Sequence, residues 1–168
     1  GFTKDDITAN INIAADKIEL NGYPYRRLTI DGMVSAAMFH GKAEIQDSNI
    51  AFIFDGLINT GKKDPSYKFT FDLKGADLQR LNLMDDDIRI AALVTSSLTG
   101  EGVNDINGIV DVRKVVITKN GKRYLIDSLM YASVNNANET HISFASTMFA
   151  ATFDGTTALG DLPYALKY

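Results

Sequence analysis

The sequence predicts an all-β protein: an elongated, curved and mostly antiparallel sheet with an apolar concave face and at most one short helix. Apolar and polar residues alternate with a period of two along most of the chain, as in strands with one covered face. Turn-forming pairs separate these runs, most clearly Asn21-Gly22 and Asn120-Gly121. Only one short segment has helical spacing.

The first half of the chain contains the clearest alternation. Tyr67, Phe69, Phe71 and Leu73 fall on one face of a predicted strand, and the intervening polar residues fall on the other. Gly32 is expected to mark a bend or bulge, and Gly41 is expected to separate two strands. Extended segments are predicted at residues 7–16, from residue 25 through residue 30 and beyond, and at residues 42–47, 50–54 and 67–74.

The second half begins with the single helical candidate. Asp77 is expected to cap a short helical segment through Leu78, Leu81 and Leu83. An acidic turn follows, and the rest of the chain again favours strands. Further extended segments are predicted at residues 88–98, 106–118, 124–134 and 142–153.

This pattern indicates about nine to eleven strands in total. Several have about 12 residues and would span on the order of 40 Å, longer than the usual strand of a globular protein. Long strands imply a broad sheet whose apolar face must be hidden from water.

The net charge and the absence of cysteine exclude some classes of function. The 168 residues carry a net charge of −4, which offers no basic surface for nucleic acid and argues weakly against binding to an anionic membrane. Cysteine is absent, so disulfides and thiolate zinc sites are excluded, as suits a periplasmic setting. Both ends of the sequence are interpreted as cuts in a longer protein.

Catalytic and metal-binding motifs are not evident. The acidic run at residues 85–87 lacks the glycine and distal glutamate of a calcium loop, so a solvated turn is the better interpretation. His40 and His141 are far apart in sequence and are expected at the surface. Nucleophile-elbow and phosphate-loop patterns are missing. We therefore predict no enzyme, no cofactor and no metal.

A weak internal repeat is also present. A Phe-Asp-Gly triplet at residues 54–56 recurs at residues 153–155, each time before a polar loop and a proline. This echo predicts two strand modules, at residues 1–83 and 84–168, that stack in one longer repeat-like protein. Coincidence among common turn residues is the alternative.

One stretch carries a family resemblance. The alternating strand from Tyr67 runs into the segment Asp77–Leu83, which has the pattern D-L-x-x-L-x-L, and a further strand starts at Asp87. This arrangement resembles the AsmA/TamB superfamily, and most closely the large TamB-like proteins of the Bacteroidetes type. The likeness covers about residues 25–160 and is one of pattern rather than of an invariant motif.

The resemblance implies a segment of a long periplasmic protein, anchored in the inner membrane by a helix outside this chain. Such proteins form open, taco-like sheets and serve phospholipid transport and outer-membrane biogenesis. The implied partners are phospholipid acyl chains and, for the full-length parent, an outer-membrane barrel assembly protein. Nucleic acid is not an expected partner, and a homodimer through the apolar face is an alternative.

On this interpretation a hydrophobic groove is lined collectively by residues of several strands. The alternative for each of them is simple core packing in a closed β-sandwich that binds glycan or protein at the cell surface. A hydrolase on a β scaffold is a second alternative, without a recognisable nucleophile. The predicted lining residues are Tyr67, Phe69, Phe71, Leu73, Ile50, Phe52, Phe54, Ile88, Ile90, Val94, Ile142 and Phe144.

Overall fold

The fold is a single open, curved sheet of ten antiparallel strands, as the sequence predicts. The computed structural model describes residues 7–61, 65–101, 105–135 and 139–156. The strands are β1 Ala9–Leu20, β2 Tyr23–Val34, β3 Met38–Gln46, β4 Ile50–Asn59, β5 Ser66–Asp77, β6 Ile88–Thr99, β7 Asn107–Lys119, β8 Lys122–Asn135, β9 Thr140–Ser146 and β10 Ala150–Gly155.

The topology is an up-and-down meander. Each strand pairs with the next one along the chain, and within the described residues β1 and β10 each keep one unpaired edge. The Asn21-Gly22 turn has φ values of 52° and 72°, and the Asn120-Gly121 turn has φ values of 50° and 75°. Both therefore form the tight left-handed turns predicted for these pairs.

Two predicted boundaries were wrong. Gly41 does not separate two strands, because β3 runs through it and pairs it with Gly32 on one side and Gly56 on the other. Residues 142–153 are not one strand but the hairpin of β9 and β10. Its turn contains neither glycine nor proline and is instead held by Ser146, whose Oγ accepts the backbone N–H groups of Met148 and Phe149, both at 3.1 Å.

The predicted short helix after Asp77 is a single turn rather than a helix. Asp77 does act as its cap, since its Oδ1 accepts the N–H of Arg80 at 3.0 Å. The N–H of Leu81 donates to the carbonyl of Asp77, also at 3.0 Å. Asn82 then adopts a φ of 58°, and this left-handed conformation ends the helical segment after a single turn.

Strand pairing assigns the side chains to two faces, because paired residues of antiparallel strands project to the same side. One face carries Phe54, Phe71 and Val94 in register, and we call it the concave face. The other, the convex face, carries Lys42 and Asp55 in register. At these positions the two faces differ as the alternation predicts, although the convex face also carries apolar residues such as Ile53 and Leu57.

A row of glycines crosses the concave face. Gly32 pairs with Gly41, Gly41 with Gly56, and Gly56 with Phe69. A Cβ atom at Gly41 would lie 2.2 Å from the carbonyl oxygen of Asp31, so the neighbouring backbones approach too closely for any side chain there. Glycine kinks of this kind bend a sheet.

A second row, made of backbone irregularities, crosses the sheet parallel to the glycine row. Along β2 and along β4 it lies five residues from the glycine of that strand. Arg27 has a φ of 52° and Lys114 a φ of 53°. The register shifts beside Ala51 in the β4–β5 pair and beside Ala91 in the β6–β7 pair. Bulges add local bend and twist. We infer that the sheet bends along both rows and forms a trough whose axis crosses the strands.

The repeat prediction stays a prediction. Both Phe-Asp-Gly triplets occur in strands of the same direction, with Phe54 and Phe153 on the concave face. One continuous sheet runs from the first proposed unit into the second, through the pairing of β5 with β6.

Candidate functional site

The trough is the candidate site, and it gathers the predicted lining residues on one surface. Register places Ile50 beside Ala76 and Ile90, which extends the concave face toward the β5–β6 connection. All twelve predicted residues lie on the concave face: Ile50, Phe52 and Phe54 of β4, Tyr67, Phe69, Phe71 and Leu73 of β5, Ile88, Ile90 and Val94 of β6, and Ile142 and Phe144 of β9.

Aromatic rings contact one another across the floor of the trough. The ring centroids of Phe54 and Phe69 lie 5.4 Å apart, and those of Phe52 and Phe71 lie 5.2 Å apart. Phe39 joins them at 5.8 Å from Phe54, although the sequence analysis did not select it. These distances are typical of favourable tilted aromatic pairs.

The concave face is only partly removed from water. Among the predicted lining residues, Leu73 and Ile142 are buried, whereas the phenylalanines of β4 and β5 are half-buried. Phe144 keeps 38% of its surface exposed. Within the described parts of the chain, no second sheet packs on this face. An apolar surface of this kind is typical of a binding site rather than a finished core.

One part of the trough is covered by the β5–β6 connection. Leu81 is fully buried and forms a cluster with Tyr23, Leu73 and Ala76. Leu81 thereby bridges strands β2 and β5, which would lie about 14 Å apart in a flat sheet. Sequence patterns did not indicate Tyr23 and predicted Leu81 in a helix, because the contact between them joins segments that are distant in sequence.

Polar groups hold this covered end in place. The Tyr23 hydroxyl donates a hydrogen bond to the carboxylate of Asp47 and accepts one from Asn49 Nδ2 at 3.0 Å. Asn49 also donates its backbone N–H to Asp47 Oδ1 at 2.9 Å. Burial, and secondly the bond to Asp47, raises the pKa of the Tyr23 hydroxyl above its ordinary value.

This pKa shift gives a pH prediction. Because the unfolded state loses the Tyr23 proton first, the contribution of this hydroxyl to stability is constant below pH 10.0 and declines as the pH rises above it. Tyr23→Phe should cost about 2 kcal/mol at neutral pH, since the hydrogen bond to the buried Asp47 carboxylate and the one accepted from Asn49 are both lost. Urea unfolding of both proteins should show this gap closing above pH 10.0; a constant gap would refute the assignment.

Asp77 is the second polar anchor at this end and is itself buried. Its Oδ2 lies 3.1 Å from Arg89 Nε and 3.5 Å from Arg80 Nε. The backbone N–H of Asp77 donates to the carbonyl of Asn49 at 2.8 Å. Asp77 therefore links the β5–β6 connection to the β3–β4 turn and to β6.

The acidic turn and the two histidines are the remaining polar groups that the sequence brings into question. Within the described ranges, no three His, Cys, Asp or Glu side chains lie close enough to hold a metal ion. Asp86 of the acidic turn pairs with Lys119 Nζ at 3.0 Å. His40 lies on the convex face of β3, and His141 of β9 pairs with Asp154, so the two histidines do not meet.

Comparison with known proteins adds no assignment. No family model matches the chain, and no curated protein and no solved structure matches it either. Among the described residues, no helix has the length and apolar character needed to span a bilayer.

Proposed function

We propose that this chain is a segment of an AsmA/TamB-like envelope protein whose trough shields lipid acyl chains in the periplasm. It would act by binding rather than by catalysis and would serve phospholipid transport and outer-membrane biogenesis. The observation that carries the proposal is the half-exposed aromatic and aliphatic concave face, held open by a bent sheet. The pattern of residues 67–83 supports the family and, with it, the inner-membrane anchor and the outer-membrane partner.

The energetics favour such a role. Two acyl chains contain about 30 methylenes, each costing about 0.8 kcal/mol in water, so crossing an aqueous gap unprotected costs on the order of 20 kcal/mol. An apolar trough removes much of that cost. A surface of Phe, Leu, Ile and Val side chains needs no fixed headgroup, so it would accept phospholipids of different classes.

The direct test is titration with a phospholipid that carries a fluorescent acyl chain. Phe71→Asp should weaken binding by about a hundredfold or more, because a carboxylate would be buried against hydrocarbon. Thr70→Asp is the matched control: Thr70 is the exposed, convex-face neighbour in the same strand, and its substitution should leave affinity unchanged.

A second variant separates binding from folding. Phe144 is 38% exposed and its ring lies 5.2 Å from that of Tyr131, so Phe144→Asp should lower the melting temperature only moderately and leave the protein folded while it lowers lipid affinity. Equal lipid binding by wild type, Phe71→Asp and Phe144→Asp would refute the proposal and would favour a glycan- or protein-binding module.

A further inference from the structure

The β7–β8 hairpin extends beyond the end of β9, the strand that pairs with β8 on its outer side. The last residue of β9, Ser146, pairs with Leu129, so residues 122–128 of β8 have no partner on their outer side among the described residues. At about 3.4 Å per residue this unpaired length is roughly 24 Å. The tip of this hairpin is therefore free to contact another surface.

The tip combines exposed apolar and basic side chains. Tyr124 is 53% exposed and Leu125 is 62% exposed, and they project to opposite faces of the hairpin. Lys122 and Arg123 precede them and are also exposed. No acidic side chain of the described residues forms an ion pair with either cation. Large apolar residues beside free cations at a protruding turn are typical of membrane-binding segments.

The neighbouring β5–β6 connection extends this surface. Its Leu83 and Met84 are 50% and 49% exposed. It is fastened to the hairpin by a hydrogen bond from Asn120 N to the carbonyl of Asp87, at 3.1 Å. Exposed apolar side chains also occur near the opposite ends of the strands, at Ile109 and Val134. Among the described residues, this rim is distinguished by the combination of its apolar tips with Lys122 and Arg123.

We propose that this rim docks on a phospholipid bilayer that contains anionic lipid. Lys122 and Arg123 contact the lipid phosphates, and Tyr124 and Leu125 enter the interface between headgroups and acyl chains. The acidic residues 85–87 lie on this rim, and two of them are paired: Asp86 with Lys119 at 3.0 Å and Asp87 with Arg89 at 3.9 Å. More distant acidic residues are screened by salt beyond about 10 Å. The inference deepens the proposed function, since a trough for acyl chains must load from a membrane.

Vesicle flotation tests the docking surface. Wild type should float with vesicles of phosphatidylcholine and phosphatidylglycerol in equal parts. Tyr124→Ser combined with Leu125→Ser should lower vesicle binding by about tenfold or more, because two apolar anchors are lost. Lys122→Ser combined with Arg123→Ser should lower it by about thirtyfold, since each cation contributes about fivefold at an anionic surface.

Ile109→Ser is the matched control. Ile109 is 50% exposed on the convex face near the other end of β7, so its loss should leave flotation and melting temperature unchanged. The tip residues are exposed to a similar extent, so the tip variants should also keep the wild-type melting temperature.

Failure of docking is distinguishable from failure of lipid shielding. Phe144→Asp should float like wild type while losing affinity for the fluorescent phospholipid, and the tip variants should show the reverse. Docking at this rim is overturned if wild type does not float or if the tip variants float as well as wild type. It is also overturned if only Phe144→Asp abolishes flotation, since the vesicle contact would then be the trough itself.

Discussion

Gly56→Ala should destabilise the protein by at least about 3 kcal/mol and should leave much of it unfolded or aggregated. A Cβ atom at this position would lie 2.3 Å from the carbonyl oxygen of Lys68 and 2.5 Å from the Cα of Phe69. Both obstacles are backbone atoms, so no side-chain rotation relieves the clash. Gly56 also has a φ of 149°, which other residues rarely adopt.

Gly75→Ala is the control for this experiment. Gly75 lies in the neighbouring strand, and an added Cβ would meet nothing within 4 Å. Its substitution should change the free energy of unfolding by less than about 1 kcal/mol. Chemical denaturation of the two variants measures the difference. Equal stability of Gly56→Ala and Gly75→Ala would mean that the backbones do not approach closely at Gly56. The glycine row would then not be the cause of the bend in the sheet.

Leu81→Ala should cost about 3 kcal/mol, in the range of large-to-small changes at fully buried leucines. Leu81 is 0% exposed and contacts Tyr23, Leu73 and Ala76, which belong to two different strands. The substitution would leave a cavity beneath the β5–β6 connection, the element that covers one part of the trough.

Leu83→Ala is the matched control in the same connection. Leu83 is 50% exposed, so its truncation should cost no more than about 0.5 kcal/mol. Thermal and urea unfolding of both variants give the comparison. Similar losses for Leu81→Ala and Leu83→Ala would show that the connection does not pack into the trough as described.

The alternation in the sequence was sufficient to predict the sheet and its apolar face. In β5, Tyr67, Phe69, Phe71 and Leu73 lie together on the concave face because strand geometry alone decides their direction. The same reasoning placed residues of β4, β6 and β9 on that face. Local periodicity is a property of neighbouring residues in the chain, so it can be predicted from sequence.

The curved sheet was predicted, but the residues that shape it were not. Gly41 was interpreted as a break between strands, whereas the structure places it inside β3, where the backbone of β2 approaches closely. Tyr23 and Leu81 are distant in sequence and meet through the β5–β6 connection, and Phe39 joins the aromatic floor through the pairing of β3 with β4. The β9–β10 turn was missed because Ser146, rather than glycine or proline, stabilises it.

The central claim, that the open concave face binds acyl chains, is tested most directly by native mass spectrometry. The chain would be purified without detergent from bacterial cells and its mass compared with that of the double variant Phe69→Asp with Phe71→Asp. We predict phospholipid bound to the wild type and absent from the folded variant. A lipid-free wild type, whether a monomer or a dimer closed through its two concave faces, would contradict the account.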